Sequence, residues 1–423
     1  MHSGVGAIGI FMGRAKSKVL PRNARERLKL ARQREKYLRL RKIVLFVVAG
    51  TLVLASALGL LLWSMQDKEV TGENSPNAVA PKELPPLVYD NTIEQAAVTE
   101  LRAFGDWLRT NNAAGFIGEV GWPDRQDGAQ WNAVADKWYR EAAHHDLWVT
   151  SWAAGSWWGE YQLAVYTHTA GEQNLDTARA QATILEKYPS EGLRQRGVNL
   201  AGMEFSTESG FHSGNLGVAG QQYFYEPAES LAYLSSRGVK LVRLPIRWER
   251  IQPELGGDLR TQEITAIKQI MDAAHTADIK VVLDLHNYGV YYAPMGGLVL
   301  GTSLGHDKLA DIWLRLSKEF GSHPGLAAYG LMNEPHDLPA GSYGTPAKNW
   351  EVASQTTLDA LRKANDKTLV MVAGYDWSSL ERWAVNHPKG WITDSAKNFR
   401  YEAHHYWDKD GSGAYVLPFD QEL

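Results

Sequence analysis

From residue 91 onward, apolar positions follow two rhythms in turn. In stretches such as QEITAIKQIMDAAHTA (262–277) and HDKLADIWLRLSKEF (306–320) they recur every three or four residues, the period of a helix with one buried stripe. Between these lie short runs that are apolar at most positions. They are GFIGE (115–119), LWVTSW (147–152), GVNLAG (197–202), KLVRLP (240–245), KVVLDLH (280–286), LAAYGLMNE (326–334), TLVMVAG (368–374) and RYEAHHY (400–406). Strands that are apolar on both faces belong to a parallel sheet covered by helices. Eight of them, with seven connections each long enough for a crossover, predict an α/β fold of the (β/α)8 TIM-barrel type. The eighth helix is TIEQAAVTELRAFGDWLRTNN (92–112), ahead of the first strand.

The pattern upstream is different. Residues 43–63, IVLFVVAGTLVLASALGLLLW, are uncharged and mostly apolar, enough helix to cross about 30 Å of hydrocarbon. Residues 1–42 carry thirteen Lys/Arg against Glu26 and Glu35, a local charge of +11, which leaves −15 on the remainder of a chain whose net charge is −4. A basic block beside a membrane span stays in the cytoplasm and meets anionic lipid, so it is read as a topology signal rather than a nucleic-acid site. The apolar run is too long for a secretory leader, and LLLWSMQDK lacks a small-residue cleavage site. Residues 64–90 are polar and Pro-rich, as in an extended linker. The expected organisation is a basic cytoplasmic segment (1–42), a single-pass transmembrane anchor (43–63), a linker (64–90) and an extracytoplasmic barrel (91–423). The chain has no cysteine, which excludes disulfides, thiolate metal sites and a cysteine nucleophile.

In such barrels the chemistry sits where strands end. The strand ends here hold Glu119, Trp152, Arg243, His286, Asn333 with Glu334, and His404 with Tyr406. Two carboxylates, two imidazoles, an arginine and a tryptophan thus converge on one face. Taken alone, Glu119 between Gly118 and Gly121 is as readily a charged turn residue, and Glu334 before Pro335 can cap a helix. Their pairing favours chemistry. Pro335 is expected to send Glu334 out of its strand in an extended conformation. DKDGSG (408–413) imitates the start of a calcium loop, but its twelfth position is Phe419 rather than an acid. No His/Asp cluster has metal-ligand spacing in the sequence, and no phosphate-binding glycine loop precedes a helix.

FIGEVG, VRLPIRWERIQP, LDLHNYG, LMNEPHD and YEAHHYWDKDGSG resemble the strand-end motifs of glycoside hydrolase family 5, the endoglucanase or cellulase family of retaining β-glycosidases. The resemblance covers roughly residues 92–423 and departs from the family in chain order. The segments that match its last two strands, GFIGEVG and LWVTSWAAGSWWGEY, come first, so Glu119 lies 215 positions upstream of Glu334. This looks like a circular permutation that starts at the family's sixth helix and ends after its sixth strand, with residues 161–195 as the join. A closed barrel makes such a join easy, because its first and last strands are neighbours.

By resemblance, Glu119 is the nucleophile and Glu334 the general acid/base. Arg243 and Tyr406 are suited to keep Glu119 ionised, Asn333 to bind the sugar 2-hydroxyl, His404 to support Glu334 and His286 to bind a sugar hydroxyl. Trp152 matches the family's aromatic floor, and Trp122, Trp157, Trp158, Trp377 and Trp407 are candidates to stack on flanking sugars. The implied activity is a membrane-anchored retaining endo-β-1,4-glucanase acting on cellulose-like β-glucan, needing neither metal nor cofactor. A β-mannanase or β-1,3-glucanase of the same fold is the rival reading, and a non-catalytic polysaccharide-binding surface protein comes from a different class. In the permuted order both chain ends leave the barrel on its catalytic side, so the cleft is expected to be able to face the membrane.

Overall fold

The computed structural model describes residues 88–169, 174–205 and 210–422. The basic segment, the predicted span 43–63 and the linker as far as residue 87 lie outside the described residues. Among the described residues no helix is long and apolar enough to cross a membrane.

Eight parallel strands close into a barrel: β1 (Gly115–Gly121), β2 (Trp148–Ala154), β3 (Arg196–Leu200), β4 (Leu241–Ile246), β5 (Lys280–Leu285), β6 (Leu326–Gly330), β7 (Leu369–Ala373) and β8 (Phe399–Tyr406). Each pairs with its neighbours in sequence, and β1 pairs with both β2 and β8, which leaves no free edge in the ring. The eight predicted strands are the eight of the barrel. β6, however, stops at Gly330 rather than running on to Glu334.

The longer helices follow the predicted stripes: α1 (Thr92–Thr110), α2 (Gly128–His144), α3 (Ala182–Lys187), α4 (Ala228–Ser236), α5 (Thr261–Thr276), α6 (His306–Phe320) and α7 (Pro346–Lys363). α1 starts where the Asn91 side chain accepts from the Glu94 amide at 2.9 Å, satisfying one of the donors a helix start leaves unpaired. Its Val98, Leu101, Phe104 and Leu108 are buried toward the barrel. α7 is capped in the same way by Thr345, with Pro346 at its first position. Between β2 and β3, where the join was expected, a two-residue antiparallel ladder (Tyr166–Thr167 with Thr177–Ala178) leads into α3.

The barrel lumen is layered. Phe116, Leu241, Val282, Ala328 and Met371, from β1, β4, β5, β6 and β7, form an apolar cluster separate from the main core. One step further along the strands come Asn199, Arg243, Asp284 and Glu402, all buried and polar. The ladder between β1 and β8 slips at this level: Ile117 faces Ala403, but Glu119 faces His404, so Gly118 is the extra residue of a bulge. The gap it leaves is filled. A Cβ at Gly118 would lie 2.0 Å from Glu402 Oε1 and 2.8 Å from His404 Nε2.

Candidate active site

The polar layer is organised around one cation. Arg243, fully buried on β4, donates through Nη1 to Glu119 Oε1 (3.0 Å) and Asn199 Oδ1 (2.8 Å), and through Nη2 to Asn333 Oδ1 (2.6 Å). It also pairs with Asp284 Oδ1 and Glu402 Oε1, each at 3.0 Å. A buried guanidinium needs such compensation, because removing it from water costs several kcal/mol that only close charges and hydrogen bonds return. The other oxygen of Glu119 accepts from the Tyr406 hydroxyl at 2.7 Å. His404 reaches both catalytic candidates: Nδ1 lies 2.8 Å from Glu334 Oε1 and 3.7 Å from Glu119 Oε2, while Nε2 lies 3.3 Å from Glu402 Oε1.

An oxygen of Glu119, an oxygen of Glu334 and a ring nitrogen of His404 all fall within 4.8 Å of one another. Three potential ligand atoms so close could also hold a metal ion, which would compete with the proton on His404. Burial would discharge the imidazole, yet the carboxylates of Glu119, Glu334 and Glu402 hold its pKa up to about 10. A protonated ring has no lone pair to offer a metal. Without a metal, the cluster is an imidazolium set between two carboxyl groups.

The two carboxyls are driven apart. Burial works to raise Glu119, but the charges of His404 and Arg243 and the Tyr406 hydrogen bond outweigh it and bring its pKa below the ordinary range. For Glu334 burial and the charge of Glu119 prevail over His404, and its pKa is raised. The surroundings thus pull one carboxyl toward its anion and its neighbour toward its protonated form, the division of labour that acid/base chemistry at one centre requires.

Glu334 departs from the expected extended exit. Its φ is +42°, in the left-handed region, directly before Pro335. A non-glycine residue held there stores roughly 1–3 kcal/mol of strain. The backbone gives up an unstrained exit at the residue whose carboxyl must meet His404.

His286 Nδ1 shares a hydrogen bond with Asp284 Oδ2 (2.7 Å), while its Nε2 faces the Tyr288 hydroxyl (3.1 Å) and the Asn333 amide (3.2 Å). Burial brings its pKa well below the usual imidazole value. Trp152 stacks on the His286 ring, centroids 5.7 Å apart and planes 16° from parallel. Trp152 and His286 line a cleft of about 250 Å3 with Glu119, Glu334, Tyr406 and Trp377, and Ser412 and Gly413 reach it from the loop after β8.

The other predicted tryptophans divide. Trp377, 43% exposed, stacks on His336 at the cleft wall. Trp157 is half exposed against Phe224, and Trp158 packs on Tyr161 and edge-on to Trp152. Trp407 and Trp122 do not join the cleft: both are buried, stacked on each other at 5.6 Å, with Trp138 beside Trp407. The reason is the strand period. His404 and Tyr406 point into the lumen, so residue 407 turns to the helix layer. The same period carries a signal for two residues that strand ends alone do not reveal, since Glu402 lies two residues before His404 and Asp284 two before His286. Asn199, in the middle of an apolar run, carries no comparable mark.

The sequence profile of the family described as "Cellulase (glycosyl hydrolase family 5)" matches residues 193–420, more than half of the chain. Among fungal relatives, the manganese-dependent endoglucanase Eg5A of Phanerodontia chrysosporium is 28% identical over 233 residues, 52% of this chain and 55% of that protein. The endo-β-1,4-glucanase A of Emericella nidulans is 28% identical over 229 residues, 53% of this chain and 64% of that protein. The chain thus spans little more than half the length of these relatives. Among solved structures, an endo-β-1,4-glucanase variant from Xanthomonas axonopodis pv. citri is 32% identical, covering 53% of this chain and 68% of that one, with a TM-score of 0.45. The endoglucanase Cel5A of Pseudomonas stutzeri, solved with cellobiose, is 34% identical over 52% of this chain and 62% of its own, with a TM-score of 0.46. The chain belongs to glycoside hydrolase family 5, the cellulase family.

Proposed function

We propose that this protein is a membrane-anchored retaining endo-β-1,4-glucanase that hydrolyses cellulose-like β-glucan by double displacement. The observation that carries this reading is the pairing of a buried Glu119 with a half-buried Glu334, bridged by one imidazole, with pKa values driven in opposite directions. Carboxyls about 5–5.5 Å apart suit retention, because no room is left between them for a water attacking from the opposite face. In this reading Glu119 attacks the anomeric carbon while Glu334 protonates the leaving glycosidic oxygen. The resulting glycosyl–Glu119 ester is then hydrolysed by a water that Glu334, now a base, deprotonates. Arg243 and Tyr406 hold Glu119 as the anion and aim it, and Trp152 supplies the apolar floor of the reacting subsite. The β-1,4 linkage is favoured over mannan or β-1,3-glucan by the names of the relatives, which are endo-β-1,4-glucanases and endoglucanases.

Two further parts of the reading concern the chain as a whole. A circular permutation is supported by the start of the family match at residue 193, just before β3 at Arg196, while β1 and β2 supply the strands that close the ring on β8 and β3. The anchor and its orientation rest on residues 43–63 and the +11 segment before them. Carbonate extraction of membranes tests the anchor: the full chain stays in the pellet, and a chain lacking residues 43–63 leaves it.

The activity test is hydrolysis of carboxymethylcellulose, mannan and β-1,3-glucan by residues 86–423, beside Glu119→Gln and Glu334→Gln. Each variant should lose about a thousandfold or more in kcat, as expected when the nucleophile or the proton donor is removed. Unchanged activity in either variant would refute the role assigned to that carboxyl. Activity confined to mannan or β-1,3-glucan would move the substrate, and none on any polysaccharide would favour a binding protein.

A further inference from the structure

The loop after β8 is built on one carboxylate that touches no reacting group. Asp408 Oδ2 accepts from the Ser412 hydroxyl (2.8 Å), the Ala414 amide (3.1 Å) and the Tyr415 amide (3.3 Å), and Oδ1 accepts from the Gly413 amide (2.9 Å). The D-x-D-x-S spacing that imitates a calcium loop is thus turned inward, its first acid satisfied by donors of its own loop. The loop is pinned from outside as well. The Tyr415 hydroxyl donates to the Gly121 carbonyl (2.6 Å) and accepts from the Trp407 amide (2.9 Å), and the Arg125 guanidinium binds the carbonyls of Tyr415 and Leu417. Glu422 accepts from the amides of Lys409 (2.8 Å) and Leu417 (3.0 Å).

What this loop delivers to the cleft is the bare backbone of Gly413. Its φ is +72°, and a Cβ there would lie 2.9 Å from both Cδ1 and Cε1 of Tyr406. Gly121 approaches the same ring, where a Cβ would lie 3.2 Å from Cε1. The ring whose hydroxyl meets Glu119 is therefore confined by two glycines from two different strand ends, one of them placed by Asp408.

We propose that Asp408 is a positioning residue: by ordering residues 408–415 it seats Gly413 on the Tyr406 ring and so keeps the Tyr406 hydroxyl on Glu119 Oε2. The kinetic consequence rests on the reading of Glu119 as the nucleophile; the geometric one does not. A hydroxyl that donates to a carboxylate stabilises its anion, so freeing the ring raises the pKa of Glu119.

The test uses the full chain and reads Glu119 without substrate, by titrating its 13Cδ resonance, assigned through its loss in Glu119→Gln. Tyr406→Phe should move the Glu119 pKa up by about one unit, the worth of one charge-assisted hydrogen bond. Asp408→Ala should reproduce most of that shift, and the double variant Asp408→Ala/Tyr406→Phe should add nothing to Tyr406→Phe. Gly413→Ala, which presses a methyl against the ring, should move Glu119 in the same direction and carries the test if Asp408→Ala fails to fold. In turnover, the acid limb of kcat/KM should rise by the same amount, with kcat down about tenfold and KM little changed. A wild-type Glu119 titration in folded Asp408→Ala or Gly413→Ala, or shifts that add in the double variant, would overturn the proposal. A wild-type chain inactive on every glucan, with the NMR shifts as expected, would sink the glycosidase reading and leave the positioning one standing.

Discussion

Glu119 and Glu334 face the same nitrogen: Nδ1 of His404 lies 3.7 Å from the first and 2.8 Å from the second. The imidazolium lowers the pKa of both carboxyls, but the roles proposed for them need opposite forms. Replacing His404 with Asn should therefore raise both values. Glu119 then needs a higher pH to ionise, so the acid limb of the pH–rate profile moves up, and Glu334 keeps its proton to a higher pH, so the alkaline limb moves up with it. Activity at the wild-type optimum should fall roughly 10–100-fold, in the range of a lost electrostatic contact. A profile that shrinks without moving would show that His404 acts only through packing.

Two tryptophans predicted alike from the sequence should behave oppositely. Trp377→Ala removes an exposed ring at the cleft wall and should raise KM for cello-oligosaccharides about tenfold, with the melting temperature unchanged. Trp407→Ala empties a packed site beside Trp122 and Trp138 and should cost about 3–5 kcal/mol of stability, with KM unchanged in the protein that stays folded. Steady-state kinetics and denaturant unfolding on the two variants decide it.

The contrast shows what the sequence could tell. Glu119, Glu334 and His404 are legible because a charged residue toward the end of an apolar run has few structural reasons to be there, and Arg243 because a lone arginine inside such a run must be paired. The barrel itself is legible from eight such runs, and its closure through β1 and β8 follows. Trp407 is misleading because a loop position after Tyr406 invites a place in the cleft, whereas the two-residue period, followed one step further, turns it away. Glu402 and Asp284 escape notice for the converse reason: each sits inside its strand rather than at the end, where reactive groups are sought. The bulge at Gly118 is invisible, since register arises from pairing with β8, nearly 290 residues away. So is the left-handed backbone of Glu334, because local preference before proline points the other way and tertiary contact with His404 overrides it.

Gly118 allows a direct test of that bulge. A methyl there would meet Glu402 Oε1 at 2.0 Å, and Glu402 cannot give way without leaving Arg243. Gly118→Ala should destabilise the barrel by about 1–3 kcal/mol, the usual cost of overpacking, and depress kcat more than KM. Gly128→Ala, at the start of α2, is a control for backbone entropy, with no atom closer than 3.5 Å to the added Cβ. If Gly118→Ala matches that control in denaturant midpoint and turnover, the close packing of Glu402 on β1 is wrong.

Buried charge in the lumen also sets how stability responds to pH. Burial, with the charges of Glu402 and Glu119, outweighs Arg243 and raises the Asp284 carboxyl to about 8. His404 is held up to about 10. In both cases the folded barrel binds a proton that the unfolded chain releases at lower pH. The stabilisation from Asp284 is complete below the ordinary carboxylate range of about 4 and is lost as pH climbs to about 8. That from His404 is complete below about 6.5 and is lost on the way to about 10. Glu119 and Glu402 are lowered, so their contribution is lost only as pH falls below about 4.5. Stability should therefore decline from about pH 4.5 to about pH 10, through Asp284 first and His404 above about 6.5, with each kcal/mol lost lowering the melting temperature by roughly 2 °C in a domain this large. Thermal unfolding at constant ionic strength checks this, and the decisive quantity is the difference from variants, because surface groups titrate in all of them. His404→Gln should flatten the decline above about pH 6.5, and Asp284→Asn should flatten it below about 8 while leaving the His404 segment in place. Parallel curves for wild type and both variants would mean that neither group carries its proton in the folded barrel, and with that His404 would lose its role as the cation between the two carboxyls.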